Sequence, residues 1–472
     1  MCTLKTHQER KQLSVNKNQE HKLVHSNPAT SRKMVIINKS NGDILNDNHI
    51  ERMTGKNLDR YEILQQIAHD QKMPTSSYWK ELVLLPPGFT YTHRTRFKES
   101  EIELNLLEKP TDYPSESEDP IEILLCSIVR ELQQNRNKKI VIRFSGGVDS
   151  TCLLLAVLEV ADVDRITALT WIDDNCSSNN DQIFATELCN KLNIRQLFFK
   201  FDPYYFFQPI DPYKHLFINP GMAADPIFEQ EHIFLSHNID DEYIVLDGHG
   251  GDHLFLDPVP SAAFLYPIRN KKIIGGLKIA TIISRLTGSS IYETLFRDRR
   301  QHAYETRERR EFLNWQSLPP LNYKKPESLA EEHLHAITQA IYQNTLSAFP
   351  AKTSNIAYPF TSEEMVAYAL KQDPYRMFNA LQTRLPLKQS ITKRHPDIIP
   401  RSDKGHITSA YQKALGFHRE KILKTLKHSW LRKESLINIQ NVEKAINRSA
   451  LGIGGVEQTL LKIICTSLLR EH

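Results

Sequence analysis

The chain has 472 residues, 40% of them apolar and 25% charged. This is ordinary usage for a globular protein, with room for about three domain-sized units. It excludes a wholly disordered chain, a collagen-like repeat and a coiled-coil rod. With 60 Lys and Arg against 56 Asp and Glu, the net charge is only +4, which gives no support to nucleic acid or an anionic membrane as the main partner.

Residues 1–33 are rich in Lys, Gln, Asn, His and Ser and read as a flexible polar tail. Strand patterns follow at 34–37, 82–85 and 101–106, with Asn41-Gly42 as a turn. Residues 34–117 therefore form a small β-rich unit that ends in the Pro/Ser/Glu-rich stretch 109–120. The pattern then changes. Helix signals at 121–132, 150–160 and 182–192 alternate with apolar strands at 139–144, 166–171, 197–201 and 243–246. Such alternation predicts βαβ units and a parallel sheet. Helix signals dominate from about residue 270 onward, and residues 118–472 are taken as one large unit. The six cysteines, Cys2, Cys126, Cys152, Cys176, Cys189 and Cys465, lack zinc-site spacing and read as reduced thiols of a cytoplasmic protein. No apolar run approaches the ~20 residues of a membrane-spanning helix.

The strongest chemical signal is Ser145-Gly146-Gly147-Val148-Asp149-Ser150, between an apolar strand and an apolar helix. Two glycines let the backbone approach an anion closely. Backbone N–H groups, the Ser145 and Ser150 hydroxyls and the helix N-terminus then favour phosphate oxygens. Asp149 belongs beside phosphates only if a divalent cation lies between them. There is no GxxxxGK[ST] pattern and no loop lysine, so this is not a Walker A loop. A second Gly-rich turn, Asp247-Gly248-His249-Gly250-Gly251-Asp252-His253, follows the last apolar strand. Ligands bind at that end of parallel strands, and Asp252 can complete a two-carboxylate magnesium site with Asp149.

The first loop resembles that of the N-type ATP pyrophosphatases (PP-loop, adenine nucleotide alpha hydrolase-like), which cleave ATP between the α and β phosphates. Both loops together resemble the synthetase domain of the asparagine synthetase family. So do Leu84-Leu85-Pro86-Pro87-Gly88, Tyr358-Pro359-Phe360 and Pro400-Arg401-Ser402-Asp403-Lys404-Gly405. The family's GEGxDE is replaced by Gly-His-Gly-Gly-Asp-His, which is similar to the lasso-peptide cyclases, as is Ile227-Phe228-Glu229-Gln230. The implied fold is an α/β PP-loop domain with a helical C-terminal part and a truncated, glutaminase-like, β-rich N-terminal domain. Cys2 could mark a glutaminase nucleophile, but Thr3-Leu4-Lys5 lacks the expected continuation, and the N-terminal unit is expected to be inactive.

The resemblance implies ATP and magnesium as cofactors and a precursor peptide as substrate. It also implies a leader peptidase and a leader-binding protein as partners. Asp149 and Asp252 would be the metal ligands. Ser145, Gly146, Gly147, Asp149, Ser150, Leu169, Thr170, Asp247 and Gly248 would contact ATP. Lys404 would support the triphosphate, His249 would serve as a base or a positioning group, and Glu229 would contact the peptide or stand as a solvated acid. A peptide carboxylate would be adenylated and then captured by the peptide's own amine. A small-molecule amide or β-lactam-forming synthetase and an inactive nucleotide-binding scaffold are the rival readings. The charged run 297–311 reads as a solvated helix face, with partner docking as the alternative.

Overall fold

The computed structural model describes residues 15–18, 21–25, 35–38, 41–44, 59–68, 80–85, 89–94, 99–104, 119–172, 181–208, 226–296, 311–314, 326–346, 356–401, 408–453 and 458–468.

The N-terminal part is built on two small antiparallel sheets. Strands β1 (Val15–Asn18), β2 (His21–His25), β5 (Phe89–Arg94) and β6 (Glu99–Leu104) form one, in the order β1-β2-β5-β6. Strands β3 (Val35–Asn38) and β4 (Leu82–Leu85) form the other. Gly42 takes a positive φ of 69° in the turn after β3, a conformation open to glycine at little cost. Two results differ from the sequence expectation. Residues 15–18 and 21–25, expected as tail, form an antiparallel strand pair joined to β5. Such pairing is non-local, so weak local patterning does not announce it. A helix, α1 (Arg60–Ala68), also lies within the unit expected to be β-rich. Its Ile63, Leu64 and Ile67 join the core formed by the C-terminal helices, and Arg60 stacks on Trp430 and pairs with Glu434.

The parallel unit begins at α2 (Pro120–Gln134). Asp119 caps it by accepting the Ile121 N–H at 3.0 Å, with Pro120 in the first turn. In chain order follow β7 (Lys139–Arg143), α3 (Val148–Leu158), β8 (Ile166–Ile172), α4 (Asp181–Lys191), β9 (Arg195–Lys200), α5 (Pro226–Asn238), β10 (Tyr243–Leu246) and the single turn α6 (Gly251–Leu254). The helical remainder comprises α7 (Ile273–Thr287), α8 (Leu329–Leu346), α9 (Glu363–Lys371), α10 (Leu385–Arg394), α11 (Thr408–His428), α12 (Ile439–Ala450) and α13 (Gln458–Ser467). A two-residue strand, β11 (Ile356–Ala357), enters between α8 and α9.

The sheet order is β11-β10-β7-β8-β9, with every neighbouring pair parallel. Successive side chains point to opposite faces. Ile140 and Ile142 of β7 and Ile244 and Leu246 of β10 thus enter one core with α2 and α3. Val141 and Val245 enter the other with α11, α12 and α13. Coverage on both faces explains why these strands read as continuous apolar runs. Each buried aliphatic side chain contributes roughly 1.5–3 kcal/mol. The chain leaves β7 toward β8 and β9 on one side and returns to β10 on the other. The switch point is therefore the crevice beyond the carboxyl ends of β7 and β10, where open α/β sheets bind ligands. Among the described residues, no helix is long and apolar enough to cross a membrane.

Candidate active site

Both Gly-rich loops open into this crevice. The first leaves β7 and closes at the start of α3. Gly146 adopts φ +70°, and a Cβ there would lie 3.0 Å from the Ala185 amide nitrogen, so the turn requires glycine. Ser145 Oγ accepts the Gly147 N–H at 3.3 Å, and Ser150 Oγ donates to the Gly147 carbonyl at 3.1 Å. Both hydroxyls therefore brace the loop at the helix N-terminus. Arg401 clamps it from outside, ion-paired with Asp181 and stacked on Phe184 with 4.7 Å to the ring centroid.

The second loop leaves β10 and lies directly on the first. A Cβ on Gly248 would sit 3.2 Å from the Ser150 nitrogen, and one on Gly251 only 2.6 Å from Asp149 Cγ. Any larger residue at 251 would push into the Asp149 carboxylate, which is how two segments a hundred positions apart come together. Asp252 follows immediately, its Oδ1 accepting the His253 N–H at 3.0 Å and meeting His253 Nδ1 at 2.7 Å. At the far end of this loop, His333 Nε2 meets the Leu254 carbonyl at 2.8 Å, and burial pushes the pKa of His333 down.

Arg384 was not singled out by the sequence. Its guanidinium pairs with Asp149 Oδ2 and with Asp257 Oδ2, both at 2.9 Å. Burial opposes its charge, but Asp149 and then Asp257 outweigh this, and Asp252 adds to the pull, so its pKa is held above its ordinary value. One turn on, Lys388 is buried, and burial together with the Arg384 charge lowers its pKa.

The structure also adds Arg143, Glu231 and Trp171. Arg143 ends β7. Its Nη2 donates to Glu231 Oε1 at 2.6 Å, its Nε to Oε2 at 3.0 Å, and its Nη1 to Asp247 Oδ2 at 2.7 Å. Trp171 Nε1 donates to Glu231 Oε2 at 2.6 Å. Asp247 Oδ1 in turn accepts the His249 N–H at 2.7 Å. The Phe228 ring lies 4.8 Å from the guanidinium. Burial works against the Arg143 charge, but Glu231 and Asp247 prevail and hold its pKa above its ordinary value.

Of the predicted residues, Ser145, Gly146, Gly147, Asp149, Ser150, Asp247, Gly248, His249 and Asp252 meet in the two loops. The His249 ring lies 6.4 Å from Tyr358 and 5.5 Å from His253, centroid to centroid. Leu169 and Thr170 lie within β8, beside the first loop. The buried Thr170 hydroxyl donates to the Phe144 carbonyl at 2.9 Å and accepts from Gln196, and the Leu169 carbonyl accepts the Phe144 N–H at 2.8 Å. Glu229 is exposed on α5, while Glu231 is 2% exposed. Two residues turn a helix by about 200°, which sends the two acids to opposite sides. A signal for Glu231 was present: it stands midway between Ile227 and Leu235, at i+4 and i−4, on a stripe whose other members are core residues. Lys404 and Cys2 lie outside the described residues, as does the charged run up to residue 310. Cys152 and Cys189 are buried free thiols. Burial pushes Cys189 up to about 12 and Cys152 well above its ordinary value, so neither is a thiolate at neutral pH.

The donor set at the loop junction is carboxylate oxygen, which suits a hard cation. Among the described residues no cluster of three or more His, Cys, Asp or Glu forms a metal cage. Two carboxylates that leave the other positions to phosphate oxygens and water are how magnesium is commonly held; Asp149 and Asp252 supply carboxylates of that kind, and Asp149 Oδ2 is paired with Arg384 here.

A family model described as asparagine synthase matches residues 127–465. The microcin J25-processing protein McjC of Escherichia coli is 23% identical over 328 residues, covering 67% of this chain and 58% of that protein. The match thus spans less than two thirds of that relative's length.

Proposed function

Because the chain belongs to the asparagine synthase family, we propose that it is an ATP-dependent, AMP-forming ligase that closes a macrolactam in a lasso-peptide precursor. The observation that carries this reading is the seating of the second loop on Asp149 through Gly251. It makes one site for a triphosphate out of two distant Gly-rich turns. The Gly-His-Gly-Gly-Asp-His sequence and the match to a microcin-processing protein support a peptide as substrate.

In the first step an Asp or Glu side-chain carboxylate of the peptide attacks the α-phosphorus of ATP. The bond to the bridging oxygen breaks, and pyrophosphate leaves. Backbone N–H groups at the start of α3 hold the phosphates, with Ser145 and Ser150 bracing the loop that presents them. Asp149 and Asp252 would hold magnesium, which when bound offsets the charge of the pyrophosphate. Lys404 adds positive charge beside the α-phosphoryl oxygens. Groups fixed in this way contribute several kcal/mol of barrier reduction, on the order of 3–4 for one donor.

In the second step the peptide's N-terminal amine attacks the acyl carbon, the bond to AMP breaks, and the amine gives up a proton. His249 serves this step, as the base that takes the proton or as a hydrogen-bonding partner of the acyl group. Holding both ends of one peptide makes the closure intramolecular, worth up to roughly 7–11 kcal/mol. The N-terminal unit, read as a reduced glutaminase-like domain, supplies no ammonia on this account, so the amine comes from the substrate itself. The precursor peptide is the proposed partner, with a leader peptidase and a leader-binding protein acting before closure.

The test incubates purified protein with ATP, magnesium and candidate precursor peptides. One AMP should form per peptide closed, with a product lighter than the peptide by one water. Release of ADP instead of AMP, or a product at unchanged mass, defeats the proposal. Closure of a small molecule but of no peptide would move the substrate assignment to the small-molecule synthetases.

A further inference from the structure

Most of the residues assigned so far lie in the two loops. Behind them is a chain of polar contacts that no step of the mechanism uses. It draws on four elements: Trp171 from β8, Glu231 from α5, Arg143 from β7, and Asp247 at the end of β10. Glu231 is 2% exposed, yet it accepts from both the Arg143 fork and the Trp171 indole. A carboxylate in such a place is costly unless each of its oxygens is satisfied. Here they are, and the satisfied acid in turn fixes the direction of a guanidinium. The planar fork of Arg143 spends its two outer nitrogens on different carboxylates, so it can point only one way.

The end of the chain is the informative part. Asp247 is held twice on its side chain, by Arg143 at Oδ2 and by the His249 N–H at Oδ1. Its backbone N–H also donates to the Ala357 carbonyl at 3.0 Å. The bond to the N–H two residues on is an Asx turn, which sets the path of Gly248 and His249. That path lays Gly248 against Ser150 and Gly251 against Asp149.

We infer that Trp171, Glu231, Arg143 and Asp247 form a positioning relay that registers the His249 loop on the phosphate loop, with Glu231 and Arg143 acting through Asp247. None of the first three need touch the substrate. The relay explains why a charged residue ends β7, the central strand of the sheet: it links the strand that feeds the first loop to the strand that feeds the second. A lysine at 143 would keep the charge and lose the fork.

The inference rests on the reading that the crevice binds ATP, and the test keeps the two separable. Wild-type protein and the variants Glu231→Gln, Arg143→Lys and Trp171→Phe are titrated calorimetrically with the magnesium complex of α,β-methylene-ATP, which resists cleavage at the α–β bond. Thermal melting of each protein without ligand is recorded alongside. Glu231→Gln keeps the size and removes the charge that holds the fork, and the dissociation constant should rise at least about tenfold. Arg143→Lys should rise by a similar factor. Trp171→Phe loses one donor and should rise about threefold. A purely structural role would lower the melting temperature while leaving the affinity of the folded fraction within about twofold of wild type. That result for Glu231→Gln and Arg143→Lys overturns the relay and leaves the ATP site standing. Wild-type protein that does not bind the analogue overturns the ATP reading and the relay with it. Trp171→Phe leaves every charge in place, so it serves as the measurement if the charge variants do not fold.

Discussion

Arg143 and Arg394 each gather carboxylates from distant parts of the chain, and they stand at opposite ends of the parallel unit. Arg143 lies at the carboxyl end of β7, between Glu231 and Asp247. Arg394, in the last turn of α10, takes Asp119 at 2.7 Å, Glu122 at 3.1 Å and Glu159 at 2.9 Å. Glu159 caps the far end of α3, and Asp119 caps the start of α2. The second cluster therefore ties three helices together on the side away from the crevice. On the proposed function, similar chemistry serves binding in one place and stability in the other, because only the carboxyl ends of the strands leave backbone groups and loops open to a ligand. A charged cluster is thus interpreted by its position in the sheet rather than by its composition.

The sharpest break of that comparison is at the proposed metal carboxylates. Asp149→Ala or Asp252→Ala should cut AMP formation by about a thousandfold, with the far-UV circular dichroism spectrum unchanged. Retained AMP release in both variants would remove the crevice from the chemistry. His249→Ala should slow ring closure by about a hundredfold if the imidazole is the base. A pH–rate profile that loses its near-neutral limb identifies that role, and an unchanged profile with a smaller loss identifies positioning. Gly251→Ala places a methyl carbon against Asp149 Cγ. It should cost about 1–3 kcal/mol of stability and lower AMP formation roughly tenfold, as read by denaturant melts and turnover on the same sample.

At the other end, Arg394→Ala should lower stability by about 1–2 kcal/mol and leave AMP release per folded molecule unchanged. A drop in turnover beyond the lost folded fraction would erase the distinction between the two clusters. The smallest effect is in pH. Burial alone would raise the Asp119 pKa, but hydrogen bonds from Ser390, Arg394 and Ile121 overcome it and hold the carboxyl below its ordinary value. A depressed folded-state pKa means that the stabilisation is complete above the ordinary carboxylate pKa of about 3.9 and is lost as pH falls through the lower value. The stability difference between wild type and Asp119→Asn should therefore be constant from pH 7 to about 5 and shrink below about 4. A difference that grows toward acid would contradict the assignment.

Much of this molecule is legible in its sequence. Strands β7, β8 and β10 and helices α2, α3 and α4 follow from apolar runs broken by Gly, Pro and polar turns, since burial on both faces leaves a strand few polar positions. Both loops were legible because close backbone approach and positive φ demand glycine, and phosphate demands hydroxyls and a helix N-terminus. The strand pair β1–β2 and the helix α1 were not, because their stability comes from partners far along the chain. The same holds for Arg143 and Arg384, and for the partners of Glu231. Nothing local says that the arginine ending β7 will meet an acid on α5, or that Arg384 will reach Asp149 from more than two hundred positions away. The sequence by itself determined the chemistry of each loop, because local backbone geometry selects residue types one position at a time. Only the tertiary structure decided which charges share a space, because electrostatic partners are chosen by distance through the fold.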